Sequence, residues 1–206
     1  MNAVTLIAYI IAIAIPAVTI YLFVVQDIFG TGKVSTVLIC VGWGMVGAFG
    51  LAYVLNTMAF RLIGADQVKS FTAPILEEIL KSLILVYLVR QPRFRYIVDG
   101  AVYGIAVGIG FGLSENLVVY LPRSEDAVLG AAISRTLSTA LMHATASGLV
   151  GISLGRLRRA RAKMGWPLLG IGLAIGLHIL YNNLVGRLGG TSLLLIAIGI
   201  GVGGSV

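Results

Sequence analysis

The stretch Ala73-Pro74-Ile75-Leu76-Glu77-Glu78-Ile79-Leu80-Lys81, followed by eight uncharged residues to Val89, decides how this chain is read. Two carboxylates and an ammonium open an apolar segment, 72–89, that is close to the width of a bilayer. Ionisable groups in hydrocarbon are costly, so they face a protein interior or a wet cavity and mark a functional site. The same pattern recurs downstream. Glu115 and Asn116 lie near the end of the apolar segment 97–119, His143 lies within 128–155, and His178 lies within 166–185. These are the only two histidines in the chain, and both sit near the middle of an apolar run. An enzyme working inside a membrane is the first expectation.

Composition points the same way. Of 206 residues, 58% are hydrophobic and 11% charged, with a mean hydropathy of +1.00. A soluble domain would be nearer a quarter charged. Further apolar segments at 4–25, 34–59 and 190–206 bring the total to seven, as expected from this length at roughly 20 residues per span. Pro16 is a candidate kink in the first segment. The expected fold is therefore an all-α, polytopic integral membrane protein. It forms a single domain over 1–206 with about seven spans, and spans three to six make the catalytic core. Twenty-seven glycines fit such a protein, because spanning helices use glycine for close backbone approach. In segment four, Gly100, Gly104, Gly108 and Gly112 recur every four residues and predict a smooth stripe for a neighbouring helix. The single cysteine, Cys40, excludes an internal disulfide and a cysteine metal cluster.

The formal charge of +7 does not imply nucleic acid, because the basic residues crowd into short gaps between apolar runs. Arg90, Arg93 and Arg95 form one group, and Arg156, Arg158, Arg159, Arg161 and Lys163 form another. Such gaps face the cytoplasm and anionic lipid heads, so the expected partner is the lipid bilayer and not nucleic acid. The two gaps are separated by two spans and so share a side. This places the N-terminus on the extracytoplasmic side of a cell membrane. Arg61 and Lys69 count against that orientation.

At 1.5 Å per residue, Glu77, Glu115 and His178 then lie about 6–10 Å from one membrane face, with His143 deeper at about 15–22 Å. Glu77 and Lys81, His178 and Asn182, and His143 and Ser147 are each four apart and share a helix face. Either histidine pair could be a ring with its orienting partner. Two imidazoles and a carboxylate make a plausible catalytic zinc ligand set, with Glu115, His143 and His178 as metal ligands. Glu77 or Glu78 would take a proton from water, and Asn182 or a histidine would steady the oxyanion. A metal-free mechanism, in which a glutamate activates water directly, uses the same residues.

The ordered series Ala73 to Lys81, Asp99 to Gly104, Gly110-Phe111-Gly112-Leu113-Ser114-Glu115-Asn116, His143 to Gly148 and His178-Ile179-Leu180-Tyr181-Asn182 resembles the PrsW family of intramembrane proteases. That family is related to the type II CAAX-prenyl endopeptidase and CPBP group. The resemblance covers roughly 70–185. It implies that Glu77 and Glu78 are the essential glutamate pair, that His143 belongs to the pattern, and that His178 and Asn182 form its final element. Glu115 stands where CAAX-type relatives carry a histidine, which favours PrsW-type activity. The substrate so implied is a membrane-anchored protein such as a single-pass anti-sigma factor, cut on the extracytoplasmic side. Competing functions are a CAAX-type endopeptidase, a proton-coupled transporter using the same groups as relays, and a non-catalytic scaffold that binds membrane helices. The chain shows no inverted repeat of the kind many transporters carry.

Overall fold

A computed structural model describes residues 3–25, 34–123, 129–159 and 165–188. Every regular element among them is helical: α1 (Ala3–Val25), α2 (Val34–Gly42), α3 (Phe49–Ile63), the single turn α4 (Ala65–Gln67), α5 (Ala73–Val89), α6 (Ile97–Ser114), α7 (Leu129–Arg159) and α8 (Gly165–Leu188). Three π-helical segments are spliced in. Trp43–Ala48 joins α2 to α3, Val68–Thr72 leads into α5, and Glu115–Tyr120 extends α6.

Five helical runs are long and apolar enough to cross a membrane: Ala3–Leu22, Val34–Ile63, Ile97–Tyr120, Thr136–Arg158 and Gly165–Leu184. They make this an all-α polytopic membrane protein. The expected third span is missing from that group because Glu77, Glu78 and Lys81 crowd it with charge. Its faces nevertheless suit a membrane. Phe71, Ile75, Ile79, Leu83 and Tyr87 form an exposed apolar stripe, while Glu77, Glu78, Lys81, Leu85 and Val89 are buried. The helix turns its charge inward and its hydrocarbon outward, the reverse of a water-soluble amphipathic helix. The expected seventh span, 190–206, lies outside the described residues, as do residues 26–33, Arg161 and Lys163.

The centre of the bundle is α6, 13 of whose residues are buried. Its most extensive partner is α7, which in turn packs on α8. The glycine stripe sets this contact. A Cβ at Gly100, Gly104 or Gly108 would overlap the backbone carbonyls of Gly151, Ser147 and His143 respectively. As numbers rise along α6 they fall along α7, so the helices run antiparallel at backbone contact. On its other side α6 meets the run Val34–Ile63, where Gly110 lies against the Val41 carbonyl and Gly44 against that of Val107. Both of its flanks are therefore fixed at near-backbone distance.

Helix α7 is continuous for 31 residues, about 46 Å at 1.5 Å per residue. That exceeds a hydrocarbon core of about 30 Å, so α7 tilts or protrudes. Its C-terminal end lies against the loop between α5 and α6. Arg158 Nη1 donates to the carbonyl of Val89 and, at 2.7 Å, to that of Gln91, and Gly155 abuts Ile97. The two basic gaps thus share one end of the bundle. There Asp99 caps α6, its Oδ2 accepting from the backbone N–H groups of Arg95 (2.6 Å) and Tyr96 (2.8 Å).

Candidate active site

Four helices deliver the ionisable residues to one buried cluster. Glu77, Glu78 and Lys81 come from α5, His143 from α7 and His178 from α8, and Glu115 begins the π-helical extension of α6. His143, expected deeper than the others, is in direct contact with Lys81 and Glu115 and so lies level with them.

Lys81 Nζ donates to Glu78 Oε1 at 2.6 Å and lies 2.9 Å from His143 Nδ1. Glu78 Oε1 also lies 2.8 Å from His178 Nδ1. His143 Nε2 is 3.0 Å from Glu115 Oε2, and the two imidazoles meet edge to face with centroids 4.9 Å apart. Glu77 Oε1 accepts from Asn56 Nδ2 at 3.0 Å, while its Oε2 faces His178 Nε2 at 3.8 Å. Phe111 closes one wall, its ring centre 5.0 Å from that of His143 and 4.8 Å from Lys81 Nζ. Trp43 Nε1 donates to the Leu80 carbonyl and braces α5 from behind. Glu78, Lys81, His143 and His178 are almost sealed, but the Glu115 side chain is 24% exposed and that of Glu77 11%. Access to the cluster is therefore past these two carboxylates.

Several sequence expectations change in detail. Lys81 pairs with Glu78, three residues earlier, instead of Glu77, because Glu77 is turned toward Asn56 and His178. Ser147 does not orient His143, as its Oγ is buried without a hydrogen-bond partner; Lys81 and Glu115 hold that ring. Asn182 does not orient His178, a task taken by Glu78. Instead Asn182 Nδ2 donates to the Lys69 carbonyl at 2.9 Å, and Asn183 Nδ2 donates to that of Ser70 at 3.3 Å. Both carbonyls belong to the π-helical segment ahead of α5, so this end of α8 fastens the approach to the glutamate pair. Asn56 escaped the sequence reading although an amide within the apolar run 34–59 is the kind of signal that exposed Glu115 and the histidines.

The cluster also fits a divalent metal, with one change of ligand. Glu77, His143 and His178 each offer a donor atom, all within 4.8 Å of one another. Glu77 takes the place expected for Glu115, which is engaged with His143 Nε2. The 3.8 Å between Glu77 Oε2 and His178 Nε2 is close to the ~3.4 Å edge of a tetrahedron with ~2.1 Å metal bonds. His178 also has its other nitrogen on a carboxylate, the arrangement that orients metal-binding imidazoles.

A helical membrane protein with carboxylates and imidazoles converging in its interior carries the groups that an intramembrane hydrolase needs. Residues 32–202 match the PrsW family of intramembrane metalloproteases, and the chain belongs to that family and is an intramembrane protease. The match starts well before the motifs at 70–185 and takes in α2 and α3, which supply Trp43 and Asn56. No curated protein and no solved structure matches the chain significantly.

Proposed function

We propose that this protein hydrolyses a peptide bond of a membrane-anchored protein, with Glu77 as the group that activates water. One observation supports this above all: Glu77 Oε2 is unclaimed by a direct hydrogen bond and faces His178 Nε2 across 3.8 Å. That gap is too long for a hydrogen bond and short enough for one water to bridge. The Asn56 amide holds the other oxygen of Glu77 and so fixes the carboxylate's aim. Glu77 takes a proton as the water oxygen adds to the scissile carbonyl carbon. It returns that proton to the amide nitrogen as the C–N bond breaks, leaving a carboxylic acid and an amine. Glu78, already bonded to Lys81 and His178, positions and does not react. The His143 ring, held between Lys81 and Glu115, is the polar group toward which the oxyanion develops.

A divalent metal such as zinc, held by Glu77, His143 and His178, would polarise the scissile carbonyl and make water more acidic. Glu77 would then be a ligand, and metal content separates the two versions. The substrate proposed is a single-pass protein of the anti-sigma-factor kind. Its helix must unwind locally, because hydrogen-bonded carbonyls are shielded from attack. With the basic end of the bundle in the cytoplasm, the N-terminus of a cell-membrane protein lies outside and the glutamate end of α5 faces outward.

The test is reconstitution in vesicles with single-pass anti-sigma-like segments and, in parallel, a prenylated peptide. Wild type should cut the former, with Glu77→Gln and His178→Ala at least about 100-fold slower while still folded. Wild-type turnover that survives in folded Glu77→Gln would remove Glu77 from this role. Zinc retained stoichiometrically by wild type and lost in His178→Ala selects the metal version, whereas full activity after verified metal removal selects the other.

A further inference from the structure

Lys81 is the one member of the cluster with no part in the hydrolysis just described, yet it lies at its centre. It is 1% exposed and touches Glu78, His143 and the face of Phe111. An ammonium has three hydrogens and no lone pair, so it can only donate. The His143 nitrogen beside it, Nδ1, must therefore carry a lone pair. A neutral imidazole then carries its hydrogen on Nε2, and Nε2 does face a carboxylate oxygen, Glu115 Oε2, at 3.0 Å. The opposite tautomer would set N–H against ammonium hydrogens and a lone pair against a carboxylate. It fails at both ends.

His178 has the reverse surroundings. Its Nδ1 is 2.8 Å from Glu78 Oε1, an acceptor, so the hydrogen belongs on Nδ1 and the lone pair on Nε2, facing Glu77. The same Glu78 oxygen accepts from Lys81 at 2.6 Å. One cation thus holds His143 directly and the carboxylate that holds His178.

We propose that Lys81 is the positioning residue that makes His143 an Nε2–H donor, the opposite tautomer to His178, which Glu78 holds as an Nε2 acceptor. This deepens the hydrolytic reading by dividing its labour. His178 and Glu77 present free lone pairs to a water or a metal as they stand. His143 offers a hydrogen bond to an oxyanion beside Glu115, and it enters a metal's ligand set only when Lys81 turns away from Nδ1. A lysine that merely neutralised Glu78 would leave the tautomer of His143 unaffected.

Because the chain has two histidines, labelling histidine with ¹⁵N yields two ring systems. His178→Gln assigns them by elimination. In chelator-treated wild-type protein, the ring shifts should report Nε2–H for His143 and Nδ1–H for His178. Two rings of the same tautomer would overturn the proposal, whatever any variant does. In Lys81→Met only Glu115 still selects the His143 tautomer, so its Nε2–H population should fall measurably while His178, still on Glu78, keeps its own; unchanged His143 shifts would also overturn it. With a cleavable substrate, Lys81→Met should lower kcat about 10- to 100-fold with KM within about twofold, and an equal kcat would count against the proposed role. The ring measurement needs no substrate. A wild-type protein that cleaves nothing would sink the hydrolytic reading and leave the tautomers to be scored alone.

Discussion

Glu78 concentrates two donors, Lys81 and His178, on its Oε1 atom at 2.6 and 2.8 Å, while its Oε2 is buried without a hydrogen-bond partner. Its loss would strand a buried ammonium and free an imidazole at once. Removing one member of a buried ion pair costs about 3–5 kcal/mol. Glu78→Ala should therefore lower both stability and cleavage, read by thermal unfolding in detergent and by turnover. Glu77→Gln should differ. It keeps a carbonyl oxygen as acceptor for the Asn56 amide, so unfolding should move little while turnover collapses. Equal unfolding losses in the two variants would contradict this division between a positioning and a reacting carboxylate. The residues of this cluster were largely legible from sequence, because charge inside an apolar run has few explanations. Their pairings were not. Helical spacing allowed Lys81 to meet Glu77 or Glu78, and the choice depends on Asn56 and His178, which arrive from helices remote in the chain.

The helices themselves are held at the distance this chemistry needs by glycine. Gly108 lies against the His143 carbonyl and Gly112 against the edge of its ring, where a Cβ would come within 3.2 Å of Cδ2. Gly108→Ala should push α7 from α6, costing about 1–3 kcal/mol by overpacking and slowing cleavage by displacing His143. Gly172 in α8 is exposed, with nothing within 4 Å of an added Cβ. There the change to alanine should be neutral or stabilising by up to about 1 kcal/mol, with normal turnover. Matching effects at both positions, measured by unfolding and initial rates, would show that general glycine content matters and not this contact. The four-residue repeat in α6 announced a close neighbour in the sequence, and the antiparallel match to α7 followed only from the fold. The π-helical segments left no such trace. Their displaced carbonyls are met from afar, as by Asn182 and Asn183, and no local pattern encodes that.

Across the whole molecule, one end is basic and the other carries the approach to the cluster. Arg158 ties the end of α7 to the carbonyls that close α5, so Arg90, Arg93 and Arg95 share an end with Arg156. The all-helical membrane fold was readable from hydropathy alone. The segment 72–89 was legible as a span, but that its three charges all turn to the buried face follows only from the packing around α5. Orientation can be tested directly. Cys40 is the only cysteine and is buried, so a membrane-impermeant thiol reagent should ignore it. Arg93 and Pro122 are both exposed, one at the basic end and one beyond the π-helical extension of α6. If basic loops stay in the cytoplasm, Pro122→Cys should label in intact cells and Arg93→Cys only after permeabilisation. The reverse pattern would invert the bundle and open the Glu77–Glu115 side to the cytoplasm. An extracytoplasmic cut in an anti-sigma-like substrate would then be geometrically excluded, even with the cluster intact. Labelling of both positions in intact cells would mean that the basic loop and the end of α6 share a side, which a single membrane-spanning α6 cannot allow.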